Sequence, residues 1–346
     1  MDVSTLPKKK IHEKLKEYYR TEFSLNDALK IITKEQFANR EWGFLDINGH
    51  FDRNFSFASP DKLIDYIKES VPRSIYVGAI YSEGPDNFQK RSIHDVEWIR
   101  KELVFDLDLN EYDDVRPCSC RGKYQICDKC WELVKTAANW INETMIEDFG
   151  VSKDNINWVF SGRRGVHAWI TEFEMMELDN EQRTAIIDYL TLFKGRGKEV
   201  RLLEDPYDYP INLRARINTE IYIPFLRECT IQQLLSLGLS KERALFILEQ
   251  RDKQGIDQLF LSKYIFLDKV SLERLHITDF PSRRAIEEGI IIQWGPRIDA
   301  AVSKDMRRIL RLPGSIHGDT GKRVRLLEED ELEYFSPLDE ISIFDE

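Results

Sequence analysis

Val104-Phe105-Asp106-Leu107-Asp108-Leu109-Asn110 meets two requirements of metal chemistry in one short stretch. Read as a strand, it places Asp106, Asp108 and Asn110 on one face and Leu103, Phe105, Leu107 and Leu109 on the other, because side chains alternate with period two. Carboxylates at i and i+2 on a strand sit about 6 to 7 Å apart at the backbone, close enough to share a pair of divalent cations. A second constellation is Cys118, Cys120, Cys127 and Cys130, four thiols within thirteen residues. Tetrahedral Zn²⁺ takes four donors at about 2.3 Å, and two short pairs supply them at small loop-closure cost. Four cysteines leave no open coordination position, so the expected zinc is structural. The third is Ser161-Gly162-Arg163-Arg164-Gly165-Val166-His167, where two glycines bracket two arginines. Backbone amides and guanidinium forks can converge there on one anion, which suits a polyphosphate. His167, on the strand leaving that loop, reads as a further phosphate ligand.

The elements that position these groups follow in order. Residues 8–38 predict two helices, with Ile11, Leu15, Tyr18 and Tyr19 on one stripe and Leu25, Ala28, Leu29, Ile32 and Phe37 on another. Asn48-Gly49 marks a hairpin turn between 42–46 and 51–57. Arg53, in the second of these segments, reads as a surface arginine or as a substrate contact. Ser59-Pro60 supplies an N-cap and a first helical residue for a helix through Leu63, Tyr66 and Ile67 that stops before Pro72. Residues 75–81 predict a strand whose central Gly78 implies a close approach. Residues 131–149 form an amphipathic helix with Val134, Ala138, Ile141, Met145 and Phe149 inward and Gly150 beyond its end. The arginine loop joins strands at 156–160 and 166–170. From 178 to 285 the pattern changes to short amphipathic helices, at 185–193, 231–237 and 243–250, broken at Asp205-Pro206-Tyr207 and Tyr209-Pro210. A strand is expected at Gly289-Ile290-Ile291-Ile292-Gln293-Trp294, then Pro296-Arg297-Ile298-Asp299, one more helix, and Leu310-Arg311-Leu312-Pro313-Gly314-Ser315-Ile316-His317.

With 346 residues, 42% hydrophobic and 32% charged, the chain can bury a substantial core. No stretch approaches 18 uncharged apolar residues, and Lys8, Lys9, Lys10 and His12 stand where a signal peptide would be apolar. An intracellular protein without membrane association is therefore expected. Clustered cysteines argue for a metal site in a reducing compartment over a disulfide framework, and Cys229 reads as a small buried apolar residue. A net charge of −11 argues globally against nucleic acid. Its distribution differs: 304–325 holds seven basic residues against Asp305 and Asp319, whereas 326–346 holds nine acids and no Lys or Arg.

Together these segments resemble the catalytic small subunit of the archaeal and eukaryotic DNA primase. The resemblance rests on 102–108, on Tyr112-Asp113-Asp114-Val115-Arg116, on the cysteine cluster ending in Cys130-Trp131, on 161–167, on 296–299 and on 310–317, in the same order along nearly the whole chain. It implies an α+β fold with a mixed β-sheet primase core and flanking helices, formed by 1–177 and 286–346, a zinc-binding motif at 114–131 and a helical insertion at 178–285. The insertion and the acidic tail have no counterpart in it. It implies Asp106, Asp108 and Asp299 as catalytic ligands of two Mg²⁺ or Mn²⁺ ions, and Ser161, Arg163, Arg164, His167, Arg311 and His317 as nucleotide-binding residues. A third carboxylate agrees with the charge of two cations, which two carboxylates and a triphosphate hold poorly in register. The implied activity is template-directed synthesis of short RNA primers on single-stranded DNA, with DNA primers left open, by attack of a 3′-hydroxyl on an α-phosphate. The implied partners are a primase large subunit, single-stranded template and nucleoside triphosphates, in the cytoplasm of an archaeon or the nucleus of a eukaryote. Two alternatives stand beside it. A repair-type polymerase of the same superfamily would share the carboxylates but is expected to lack the cysteines. A non-catalytic zinc module would leave the carboxylate strand idle.

Overall fold

Short apolar alternations separated by turn residues build the strands, and the computed structural model describes residues 3–33, 35–86, 96–122, 124–195, 200–205, 208–254 and 283–345. In chain order the strands are β1 (Arg40–Leu45), β2 (Phe51–Phe55), β3 (Ser74–Tyr81), β4 (Trp98–Arg100), β5 (Leu103–Asp108), β6 (Ile156–Phe160), β7 (Gly165–Ile170), β8 (Phe193–Lys194), β9 (Arg201–Leu202), β10 (Leu310–Arg311) and β11 (Arg325–Leu326). The chain divides into two compact units, the first Met1–Asp108, Gly150–Asp188 and Asp299–Glu346, the second Leu109–Phe149 and Tyr189–Ile298.

The first unit is α+β. One sheet runs β10-β3-β1-β2 with β4 also on β3, the other β11-β6-β7-β5, and every pairing is antiparallel. Trp42, Phe44, Ile75 and Val77 of the first sheet and Val104, Val159 and Trp169 of the second enter one apolar cluster. The helix Lys8–Thr21 adds Ile11, Leu15, Tyr18 and Tyr19 to it, and the helix Pro60–Ser70 adds Leu63 and Ile67. The second N-terminal helix is reduced to one turn, Ala28–Ile31. Asn48-Gly49 does turn β1 into β2, and the Ser59 side chain accepts from the Lys62 amide at 3.4 Å as the expected cap. At Gly78 the close approach comes from side chains: an added Cβ would lie 2.8 Å from Ile309 and 2.9 Å from the Glu41 carboxylate. The acidic tail is folded onto this unit. Leu327 donates to the Trp158 carbonyl at 2.8 Å, and Arg325 pairs with Glu331 and Glu340.

The second unit is mainly helical. Its helix Asp128–Glu147 starts three residues before the expected Trp131, because Cys127 caps it. Val134, Ala138, Ile141 and Met145 are buried as expected, while Phe149 is half-buried. Trp140 donates to the Leu190 carbonyl at 3.1 Å and Arg216 holds Thr144 at 3.1 Å, so the helical 189–298 region packs in one unit with 109–149. The strand expected at 289–294 is instead the end of the helix Arg283–Trp294. Ile286, Ile290, Ile291 and Trp294 are buried at helical spacing, and Trp294 donates to Thr136 at 3.0 Å. Its run of isoleucines is too short to separate a buried strand from a buried helix by periodicity. A further correction falls at the end of the acidic strand. β5 stops at Asp108, and Asn110 lies in a 3₁₀ turn, Leu109–Tyr112, that buries Leu109 and Tyr112. Pro206 and Tyr207 of the expected break lie outside the described residues, as does 255–282 within the expected insertion.

Candidate active site

β5 buries Leu103, Phe105 and Leu107 completely and leaves Asp106 and Asp108 partly open on the opposite face. In the β5/β7 ladder Asp106 stands opposite His167 and Asp108 opposite Gly165. The two glycines of the arginine loop have separate steric reasons. A Cβ on Gly165 would lie 2.4 Å from the Leu107 carbonyl, so only glycine lets the loop start at this point of the ladder. Gly162 has φ +86, and a Cβ there would lie 2.6 Å from His317, so this left-handed glycine admits His317 against the loop. Thr320 fixes the contact by donating to the Gly162 carbonyl at 2.6 Å.

Asp299 is brought to the same place from 191 positions beyond Asp108 in the chain. Its amide donates to the Asp106 carbonyl at 3.0 Å, and its carboxylate caps the short helix Ala300–Lys304 by accepting from Ala301 at 3.0 Å. Ser303 then donates to the Val104 carbonyl at 2.6 Å, so this helix lies along the β5 edge. Burial, followed by the charges of Asp108 and Asp299, pushes the Asp106 carboxyl up to about 7, against the opposing pull of Arg311 and Arg308. Three acids thus share a patch whose negative charge is incompletely neutralised, and their hard oxygen donors fit divalent cations. Arg163 lies 3.1 Å and Arg164 2.8 Å from the Asp108 carboxylate.

His167 is buried, with Nε2 3.5 Å from Asp106 Oδ1. Burial and then Arg311 hold its pKa down at about 4, so the ring is neutral at pH 7. Among the described residues its Nδ1 has no hydrogen-bond partner, nor has Nε of Arg311. Arg311 sits on β10 opposite Tyr76, with its guanidinium 5.6 Å from that ring. His317 is 3% exposed, and its backbone amide donates to Lys322 at 2.9 Å. Ser161 is buried at the loop start, its amide donating to Gly165 at 3.0 Å. A cleft of about 560 Å³ opens beside Tyr76, lined by Phe51, Arg53, Asn54, Arg307 and Arg308 among others. Arg53 is neither a free surface arginine nor a free ligand here, because it forks onto the buried Glu41 at 2.7 and 3.0 Å.

In the second unit the four cysteine sulfurs lie within 4.8 Å of one another, with 3.8 Å between Cys127 and Cys130. A tetrahedron of sulfurs about 2.3 Å from Zn²⁺ has edges of about 3.8 Å, so the cluster can bind zinc. Burial and neighbouring thiols push Cys120 up to about 11 and Cys130 higher. Cys127 is lowered: burial acts against it, but hydrogen bonds, led by the one from the Cys130 amide, outweigh that. Arg121 braces the loop through the Cys118 and Cys120 carbonyls, at 2.8 and 2.6 Å.

Sequence reasoning missed the charged supports. Arg297 holds the Glu111 carbonyl and Asp114, both at 2.6 Å, and its amide donates to the Tyr112 hydroxyl at 2.9 Å. Arg116 spans the Leu109 and Gln125 carbonyls at 3.0 and 2.9 Å. Arg40 pairs with the buried Glu102 at 2.8 Å, Arg183 donates to the Lys101 carbonyl at 2.6 Å, and Lys101 is itself buried. The available signal was Lys101-Glu102 placed directly before an apolar strand, where exposed charge would have no structural use.

The model of the DNA primase small subunit family matches residues 105–329, which includes Asp106, Asp108 and Asp299, the four clustered cysteines, Arg163, Arg164, His167, Arg311 and His317. This chain belongs to the DNA primase small subunit family. Among its relatives, the DNA primase small subunit of Schizosaccharomyces pombe is 29% identical over 324 residues, 89% of this chain and 70% of that protein. That of Saccharomyces cerevisiae is 29% identical over 303 residues, 82% of this chain and 72% of the relative. The archaeal DNA primase small subunit of Methanothrix thermoacetophila is 29% identical over 333 residues, 88% and 80% of the two chains. Primase function in DNA replication follows from this membership, and neither the repair-type polymerase nor the non-catalytic zinc module is favoured. As a primase small subunit the chain is a nucleotidyltransferase in general terms, and no helix among the described residues is long and apolar enough to cross a membrane.

Proposed function

We propose that this primase small subunit makes short RNA primers on single-stranded DNA, with Asp106, Asp108 and Asp299 acting as one ligand set for two divalent cations. The observation that carries this reading is the convergence of three acids from two distant segments beside a neutral His167 and Arg311. When bound, the cations lower the pKa of the attacking 3′-hydroxyl and neutralise charge on the phosphates. The chain's own part is to hold the nucleotide. Arg163 and Arg164, which pair with Asp108, contact the β- and γ-phosphates together with Arg311, His317 and the Ser161 loop. His167, kept neutral, donates a hydrogen bond without adding charge beside Asp106. The cleft along Phe51, Tyr76 and Arg53 accepts the sugar and base side of the reacting strand.

Catalysis is assigned to the first unit, and zinc at Cys118, Cys120, Cys127 and Cys130 to a structural role in the second, since four protein donors close the shell. We further assign a primase large subunit as partner, and an intracellular setting in a replication complex, cytoplasmic in an archaeon and nuclear in a eukaryote. The test is de novo initiation on a single-stranded template with ribo- and deoxyribonucleotides supplied separately, with Mg²⁺ or Mn²⁺ and without either. Metal-dependent ribonucleotide primers are expected. Products that ignore the metal, or extension of supplied primers with no initiation, contradict the reading.

A further inference from the structure

Between Asp299 and Arg311 the chain makes the helix Ala300–Lys304 and then a turn at 305–309, whose Arg307 and Arg308 are exposed. The turn's position decides where Arg308 and Arg311 stand relative to Asp106, and the charges of both guanidinium groups act on that carboxylate. Within the turn the Arg308 amide donates to the Asp305 carbonyl at 3.0 Å, the Arg307 amide to the Asp305 carboxylate at 3.0 Å and the Asp305 amide to Ala301 at 3.2 Å, while from outside it Arg53 reaches the Arg307 carbonyl at 2.8 Å. The other support from outside the turn is buried. Lys101, 3% exposed, donates from Nζ to the Arg308 carbonyl at 2.6 Å and to the Asp305 carbonyl at 3.2 Å.

The base of Lys101 is fixed on all sides. Its amide donates to Met176 at 3.0 Å, its carbonyl accepts from Arg183 at 2.6 Å, and the next residue, Glu102, is clamped by Arg40 at 2.8 and 3.0 Å. A buried ammonium is costly unless its donors are used, and burial with Arg183 alongside holds this one down at about 7. An apolar side chain would fill the space at less cost, so what the lysine adds is the pair of carbonyl bonds. We propose that Lys101 is a positioning residue for primer synthesis, fastening the 305–309 turn so that Arg308 and Arg311 face Asp106. The proposal rests on the assignment of Arg311 to the triphosphate.

The experiment compares the full chain with its Lys101→Met, Lys101→Gln and Arg311→Ala variants, reading nucleotide KM, kcat and melting temperature, with amide exchange across 305–311. Lys101→Met is expected to raise KM by about tenfold, with kcat within about threefold of the parent. Exchange should rise at 305–311 and stay unchanged in β5 and β7. Lys101→Gln keeps one donor and should fall between. If Lys101→Met lowers kcat and melting temperature at unchanged KM, the lysine supports the unit as a whole and the proposal fails. It fails equally if both Lys101 variants do not fold. Arg311→Ala separates the premises: an unchanged KM there overturns the triphosphate assignment, whereas a raised KM there beside an unchanged one in Lys101→Met overturns the positioning role alone.

Discussion

Asp106 stands opposite His167 of β7 and Asp108 holds Arg163 and Arg164, so the two acids on the open face of β5 meet different neighbours. Period two fixes the shared face of Asp106 and Asp108 from the sequence alone, whereas the register that brings His167 and the two arginines to them is set by the fold. The supports were not legible, since Lys101, Arg183 and Arg297 act on backbone carbonyls that no spacing rule points to. Replacing Arg164 by Ala is expected to raise the nucleotide KM by the worth of one charged hydrogen bond, about 1.5–3 kcal/mol, with template affinity unchanged. Steady-state kinetics with a fluorescent template in the same samples checks it, and weakened template binding at unaltered KM would assign Arg164 to DNA. Lys101 gives a pH prediction. Its pKa is about 7 when folded against 10.5 for an ordinary lysine, so between these pH values the unfolded chain binds more protons. Stability therefore gains as pH rises from 7 to 10.5 and loses as it falls back. The melting-temperature difference between the parent and Lys101→Met should shift in the parent's favour over that window, and a constant difference would mean that Lys101 does not titrate there.

At the scale of elements, the hairpin at Asn48-Gly49, the Ser59 cap and the β6–β7 hairpin were predictable because each carries turn or cap chemistry of its own. The helix Arg283–Trp294 was not, because burial on neighbouring helices, including the Trp294 bond to Thr136, decided a run that is locally ambiguous. Gly165→Ala should separate the elements that build the site. With the added methyl 2.4 Å from the Leu107 carbonyl, β5 and β7 must part locally, at a cost of about 1–3 kcal/mol. Denaturant melts should show that loss together with a fall in activity, and an unperturbed melt would contradict the register. Removing the metal from the cysteine cluster is an element-scale test too. Chelation should loosen 114–131 and the start of the helix Asp128–Glu147 before it alters chemistry. X-ray absorption of the metal-loaded chain should show four sulfur donors, and oxygen donors or fewer sulfurs would contradict a closed site.

For the whole molecule, charge was partly legible. A basic stretch before an acidic tail is present in the sequence, but the tail's Glu331 and Glu340 are paired with Arg325, so the tail is part of the first unit's framework. The division into two units follows contacts such as Trp140 with Leu190 that join segments far apart in the chain. With a net charge of −11, and with Arg163, Arg164 and Arg311 proposed to hold the nucleotide, few phosphate contacts remain for template, each adding about 0.7 to the salt slope for single strands. The chain alone should therefore bind single-stranded DNA weakly and initiate poorly, and a large subunit should improve both. Salt-resistant, efficient initiation by the chain alone would contradict this. Asp106, Asp108 and Asp299 are proposed to work as one site. This is tested most directly by primer synthesis with each single Asp→Ala variant beside the triple variant. Groups that act as a unit lose activity non-additively, so every single variant should fall to about the level of the triple. Near-normal synthesis by Asp299→Ala would contradict the account.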